Sequence, residues 1–427
     1  MSARWGTISD AMEHFGEELR RLRQASGISL RSLAELVAFD YSYLAQVERG
    51  ARPGSVKLAQ RCDEALGTGG RLVAIFRASR GRRSDRAETP PRRAVLQAMT
   101  VLAGGAGSPL AVLEATRQGL AAALGDVPDA AEWEAIAATY TREYFTVAPA
   151  ELLPELSADL LVLQRVLGAR DGKAAADLAR TAGQLGVVQA MTLAGLGQLR
   201  AARRWWQTAR SAADLSGDTQ TRVWVRSWEA VNGLYERRPL PSVLALIDEA
   251  LAISTRPSAG VAGALAGRAQ AYALLGDTEQ SKAALRKLAA TNERMPAAVV
   301  ADDQSMSGWP EYRMRHTESY VHSHLGETAT AYDAQDRADL LYPPELAREH
   351  AQVELHRARC LVLDGHIGDG LGHALRTLVE LPEQFHNQSV YEIGGHVLSA
   401  VPPSERGRTA VGDLRALTNR PTPGTAS

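Results

Sequence analysis

Several features are scarce in this chain of 427 residues, and each scarcity removes a class of function. Cysteine occurs twice, at Cys62 and Cys360, which builds neither a disulfide framework nor a cysteine metal motif. No run approaches the ~20 consecutive apolar residues of a membrane span. The opening Met-Ser-Ala-Arg-Trp-Gly leads into no apolar export core, so a cytoplasmic protein without membrane contact is expected. Phosphate-cradling loops, nucleophile elbows and HExxH patterns are missing as well. Gly104, Gly105 and Gly107 form a helix-breaking turn with no lysine behind them. His350 with Glu354, and His356 with Cys360, stand four apart on one expected helix. That spacing chelates a metal only when further ligands join, and none of recognisable spacing does. The expectation is a protein that is not an enzyme and holds neither metal nor cofactor.

What is present is a normal globular balance, 45% hydrophobic and 23% charged, with an uneven distribution of charge. Residues 1–93 carry 17 Lys and Arg against 11 Asp and Glu, whereas the chain as a whole has a net charge of −1. A basic head on an acidic body suits a nucleic-acid module joined to a domain that does not bind it.

The head reads as five short helices. Residues 15–26 place Phe15, Leu19 and Leu22 on one face and arginines on the other, with Gly27 as the stop. Ser29 caps a second helix through Val37, with Leu33, Leu36 and Val37 facing inward. Asp40 caps a third helix to about Arg49; Ser55 opens a fourth, closed by Gly67; a fifth runs from Arg71 to about Arg77. The segment ISLRSLAELVAFDYSYLAQVERG (28–50) resembles the Cro/lambda-repressor (XRE) helix-turn-helix family. The matches are Leu33-Ala34, Asp40, Leu44, Val47 and Glu48-Arg49-Gly50. The sequence departs from the family at Leu30, usually a phosphate-bracing glutamine, and at Ala38, usually a turn glycine.

The resemblance implies a third helix lying in the major groove, with Tyr41, Ser42, Tyr43 and Gln46 toward the base edges. Gln46 has the geometry to pair bidentately with adenine. Arg31, Arg52 and Lys57 are the expected phosphate contacts. The resemblance also implies an Arg23–Glu48 pair inside the bundle.

Residues 80–93, RGRRSDRAETPPRR, read as a hinge. Beyond them lie only amphipathic helical runs, with internal self-similarity. The segment 269–285 has Ala269, Tyr272, Gly276 and Ser281 at the offsets of a tetratricopeptide helix pair. The register recurs around Gly197, Gly326 and Gly365, and in a degenerate copy at 223–251 with Arg238 at the glycine position. The body therefore resembles a tetratricopeptide superhelix. The extra residues 294–310 read as a longer surface loop. Projecting the register puts Met191, Trp228, Asn232, Tyr235, Gln270, Arg313, His316, Tyr320, His324 and Arg359 on the inner, ligand-facing groove.

The expected fold is all-α: a five-helix DNA-binding head at 13–79, a linker at 80–93, a tetratricopeptide-like body at 94–415 and a tail at 416–427. The whole arrangement resembles RRNPP-type and actinobacterial XRE/TPR regulators. That resemblance implies a DNA-binding transcriptional regulator, and since one head offers only a few base contacts, a homodimer on a palindromic double-stranded DNA operator is expected. Its body would sense a signalling peptide, a small metabolite or a partner protein. The alternative is an interaction scaffold whose head has lost DNA binding, a reading that Leu30 favours.

Overall fold

The computed structural model describes residues 6–39, 41–50, 55–76, 117 and 129–419, with only the backbone for 6–14 and Ser42. All regular structure among them is helical. The chain divides into two compact units, Met1–Gly105 and Ala106–Ser427. The expected cap Asp40, the contact Arg52, the hinge 80–93 and Gly104, Gly105 and Gly107 lie outside the described residues.

The first unit contains α1 (Gly6–Ala25), α2 (Leu30–Val37), α3 (Tyr41–Glu48), α4 (Val56–Leu66) and α5 (71–76). α1 begins earlier than its apolar spacing suggested. Ser29 caps α2 by accepting from the Ser32 amide, and Ser55 caps α4 by accepting from the Leu58 amide. Each cap satisfies an amide that the helix itself leaves free. Phe15, Leu19, Leu33, Val37, Leu44, Val47, Leu58, Leu72 and Phe76 close the core. Leu36, expected inward, is 63% exposed. On a helix of only eight residues the apolar face is narrow, and Leu33, Ala34 and Val37 already fill it.

The second unit stacks antiparallel pairs. α6 (Ala130–Thr146) and α7 (Pro149–Gly168) both pack on α8 (Gly172–Gly195), which pairs with α9 (Leu199–Ser216). There follow α10 (Thr219–Tyr235) with α11 (Leu240–Ile253), and α12 (Ala259–Leu274) with α13 (Thr278–Asn292). After the short α14 (Ala297–Ala301) come α15 (Glu311–Leu325) with α16 (Thr328–Leu341), and α17 (Ala347–Leu363) with α18 (Ile367–Glu380). The last pair is α19 (Gln388–Ala400) with α20 (Thr409–Thr418). The helix α20 continues past residue 415, where the sequence placed the start of the tail.

The repeat register shows in the packing. Ala190, Ala202, Trp206, Ala209, Ala269, Ser281, Ala331, Ala338, Ala358 and Ala374 are all buried between helices, where small side chains let backbones approach. Ser281 Oγ donates to the Ala269 carbonyl at 2.7 Å, tying α13 to α12. Gly197, Gly276, Gly326 and Gly365 take left-handed turns between paired helices. In the degenerate copy the left-handed residue is Arg237 at φ 54°, one position before the expected Arg238. Arg238 instead turns inward to Glu229 at 2.8 Å and Glu236 at 2.9 Å.

The inner helices α8, α10, α12, α15, α17 and α19 follow one another, and α19 touches α10 and α8 again. Arg237 clasps Glu392 across that closure at 2.6 Å. The inner face of the stacked pairs is therefore a partly open cavity bordered by the returning last pair.

Candidate nucleic-acid interface and interior cavity

In the head, α3 is fixed from behind. Gly16 on α1 lies so close to it that a Cβ there would sit 2.2 Å from the Val47 carbonyl oxygen, so only glycine permits this approach. The Arg23 guanidinium forms a two-pronged pair with Glu48, Nε to Oε1 at 2.7 Å and Nη2 to Oε2 at 2.9 Å. Its Nη1 donates to the Ile28 carbonyl at 3.0 Å. One side chain thus joins α1, the approach to α2 and the end of α3. These hydrogen bonds to Glu48 hold the Arg23 guanidinium more firmly protonated than usual. The pairing implied by the family resemblance is present.

On the outward side, Tyr41 is 52% exposed, Gln46 is half-buried, and Arg31 and Lys57 are exposed at the starts of α2 and α4. Tyr43, expected at the bases, is half-buried and stacks on Phe39 with ring centroids 5.9 Å apart. Arg61, unremarked in the sequence, lies over the other partner of that stack, 5.9 Å from the Phe39 ring centre. It donates to the Val37 carbonyl at 2.9 Å. The turn between α2 and α3 accepts Ala38 in the left-handed region at φ 52°. Leu30 packs its side chain against the head core.

In the body, Met191, Trp228, Asn232, Tyr235, Gln270, Arg313 and His316 line one cavity of about 150 Å3. The other three residues projected onto the groove lie away from its wall. Tyr320 is wholly buried and stacks on His324 at 4.1 Å. His324 Nε2 lies 3.1 Å from His396 Nδ1. Arg359 donates to the carbonyls of Ser323 and His396 at 3.2 and 2.7 Å. Several of the lining residues are already engaged, Asn232 and Arg313 through backbone carbonyls. Asn232 Nδ2 donates to the Trp228 carbonyl at 2.9 Å. Arg313 donates to the Gly308 and Ser305 carbonyls at 2.6 and 2.9 Å.

Those two carbonyls belong to the segment expected to run as a surface loop. Its first half stays largely exposed, but its second half turns inward: Met306 and Trp309 are buried cavity residues, and Trp224 Nε1 donates to the Met306 carbonyl at 3.0 Å. Its apolar residues have nowhere else to be buried, and Arg313 draws its carbonyls in. The wall also includes Tyr144 and Phe145 of α6, Tyr342, and Arg348 with Glu349 of α17, none of which the repeat register selected. Arg348 is 1% exposed, lies 4.7 Å from the Tyr144 ring centre and donates Nη2 to the Tyr144 carbonyl at 3.1 Å.

Beside the cavity, burial makes a row of histidines hard to protonate. His316 and His396 are pushed down to about 4, and His324 and His356 well below the ordinary imidazole range, each mainly by burial. His316 Nδ1 lies 2.7 Å from the Tyr342 hydroxyl, and His356 Nδ1 lies 3.0 Å from Ser319 Oγ. The spaced pairs seen in the sequence resolve differently. His350 and Glu354 gather with Asp339. His350 Nε2 lies 2.8 Å from Asp339 Oδ1, and the Arg357 guanidinium reaches Asp339 at 3.5 Å and Glu354 at 3.9 Å. The ligand atoms of Asp339, His350 and Glu354 lie within 4.8 Å of one another, with the Arg357 guanidinium beside them. Cys360 receives a hydrogen bond from Gln335. Burial pushes its thiol up to about 11, and that of Cys62 up to about 12, so both free cysteines stay protonated.

Residues 14–76 match a family model described as a helix-turn-helix domain, the span over which α1 to α5 pack around one core. The head is a helix-turn-helix domain, the module of DNA-binding regulators. No curated protein and no solved structure matches the chain. Among the described residues no helix is long and apolar enough to cross a membrane.

Proposed function

We propose that the chain is a sequence-specific transcriptional regulator that binds its operator as a homodimer and senses a ligand through the body. The observation that carries this reading is the helix-turn-helix head, with α3 braced on its inner side and Tyr41 and Gln46 left toward solvent. A recognition helix needs a rigid back and a free front, because discrimination rests on hydrogen bonds placed within a few tenths of an ångström. Arg31 and Lys57, beside the exposed amide ends of α2 and α4, serve as phosphate contacts that set the docking register. A head with one eight-residue recognition helix makes few base contacts, and two heads on a palindrome supply the remaining affinity. The cavity supports ligand sensing, since it is lined by polar and aromatic groups from many helices.

The test is operator selection with the full chain, followed by binding of the selected duplex across salt concentrations. Gln46→Ala is expected to cost ~1–3 kcal/mol and relax preference at one base pair. Lys57→Ala should weaken every sequence alike and reduce the salt slope by about one phosphate. Unchanged affinity and base preference in Gln46→Ala would show that α3 is not the reading helix. Sedimentation of the full chain on operator DNA at one protomer per duplex would remove the dimer.

A further inference from the structure

The sensing role assigned above leaves the ligand's chemistry open, and the cavity wall narrows it. Size comes first. A cavity of about 150 Å3 is comparable to engineered cavities that take a single benzene ring. An extended peptide advances ~3.3 Å per residue, so a space of this size takes only a residue or two of it.

Shape comes next. Tyr144, Phe145, Trp228, Trp309, Tyr312 and Tyr342 supply flat faces to the wall. Tyr312 and Tyr342 lie 4.7 Å apart with rings tilted by 37°. Such faces suit a planar guest better than a branched one.

Charge completes the picture. The wall contains two guanidinium groups, Arg313 and Arg348, and one carboxylate, Glu349. His316 stays neutral beside them, since burial and Arg313 push it down to about 4. Arg313 is held by two carbonyls and lies over the Phe145 and Trp228 rings at 5.5 and 5.8 Å, with no carboxylate partner among the described residues. Arg348, though spent on Glu349 and the Tyr144 carbonyl through Nε and Nη2, keeps Nη1 buried without a partner. The Trp309 Nε1 donor is likewise buried and unpartnered. Buried donors without partners are costly to keep and mark where an acceptor belongs. The wall therefore has one positive charge in excess and an aromatic lining, with two unspent donors beside two unspent acceptors, Gln270 Oε1 and Glu349 Oε2. We propose that the cavity binds a small planar aromatic monocarboxylate, its ring between the tyrosine and tryptophan faces and its carboxylate on Arg348 and Trp309.

The experiment titrates the purified full chain with a panel of one- and two-ring aryl carboxylates, their carboxamide isosteres and unstructured octapeptides. Binding is read by calorimetry and by the fluorescence of the wall tryptophans. At least one carboxylate is expected to bind at one site per chain, tenfold or more tighter than its own carboxamide, with no saturable binding by the peptides. Ala266→Leu fills the cavity from α12 without removing a hydrogen bond, and should abolish binding while the thermal midpoint stays at or above the parent's. Arg348→Gln should bring the carboxylate down to the affinity of its carboxamide. Should Arg348→Gln fail to fold, the isostere ratio in the parent still decides the charge. Equal binding of carboxylate and carboxamide, or peptide binding that Ala266→Leu blocks, overturns the ligand class and leaves the sensing reading standing. If Ala266→Leu leaves the response of DNA binding to cell extract unchanged, sensing through this cavity itself falls, and the proposal with it.

Discussion

In the head, the two buried carboxylates are both fully used. Glu48 accepts both prongs of Arg23, and Asp63 accepts the amides of Leu72 and Val73 at 2.9 Å each, together with the Thr68 hydroxyl. In the body, buried polar atoms without partners recur: Gln270 Oε1, Trp309 Nε1, Tyr320 OH, Arg348 Nη1, Glu349 Oε2 and His356 Nε2 among them. All the unpartnered buried side-chain atoms among the described residues belong to the body. The difference separates two uses of burial. The head buries polar groups to hold one shape, so that its outer face can act. In the body, four of these atoms, Gln270 Oε1, Trp309 Nε1, Arg348 Nη1 and Glu349 Oε2, belong to residues of the cavity wall, and each carries a cost in stability that a bound partner would recover.

The contrast can be broken by removing one carboxylate. Glu48→Ala leaves the Arg23 guanidinium, 12% exposed at its side chain, without its counter-charge. Loss of one partner from a buried pair costs ~3–5 kcal/mol, a large share of what a small helical domain has to spare. Amide exchange should show the head opening while the body's protection is unchanged. Equal loosening of both units would mean that the head is not an independent folding unit.

A smaller effect is expected from acid, and it should fall on the body. The folded state holds His316 and His396 at about 4, below the ~6.5 of an unfolded imidazole. Depressed values mean that the unfolded chain binds protons first, so their contribution is complete above pH ~6.5 and lost as pH falls toward 4. At pH 5 the loss is about 1–2 kcal/mol per histidine. Thermal unfolding between pH 7.5 and 5 should lower the body's midpoint, and His316→Gln should blunt the fall. A body midpoint that does not move over this range would contradict the neutral imidazoles.

The smallest effect compares two left-handed residues that are not glycine, Ala38 in the head and Arg237 in the body. A side chain in this region costs ~1–2 kcal/mol. Ala38→Gly should therefore stabilise the head by about 1 kcal/mol. Arg237→Gly gains the same relief but loses the pair with Glu392, so its net change should stay within about 0.5 kcal/mol of zero. Melting curves of the two variants check the difference, and an equal gain in both would show that the Glu392 pair contributes nothing.

Much of this was legible in the sequence where the cause is local. Caps at Ser29 and Ser55, stops at Gly27 and Gly67, and the alanines of the repeat register follow from residues a turn or two apart. The Arg23–Glu48 pair came through family resemblance, because it spans 25 residues that periodicity does not connect. The register brought seven groove residues to one cavity wall, since side chains at repeat offsets share a face. It missed Tyr144, Phe145, Trp309 and Arg348 for a physical reason. Arg348 reaches Tyr144 across 204 residues, and a register relates each repeat only to its neighbours. The second half of segment 294–310 was misread because Met306 and Trp309 find their burial only against helices distant in sequence. The Arg237 turn was misplaced by one residue, as expected where no glycine marks it.

The contact of α19 with α8 and α10 has a consequence for how such a body can change over generations. An open array of repeats tolerates gain or loss of whole units, because each unit meets only those beside it. Here the last pair is seated against the early ones, with Arg237 and Glu392 on either side of the seam. Inserting one more pair would push α19 out of reach of its seat, and deleting one would pull it across the cavity. The copy number of this body is thus set by its circumference. Variation has to come through substitutions on the inner wall, where each one alters the shape of the interior without changing the count.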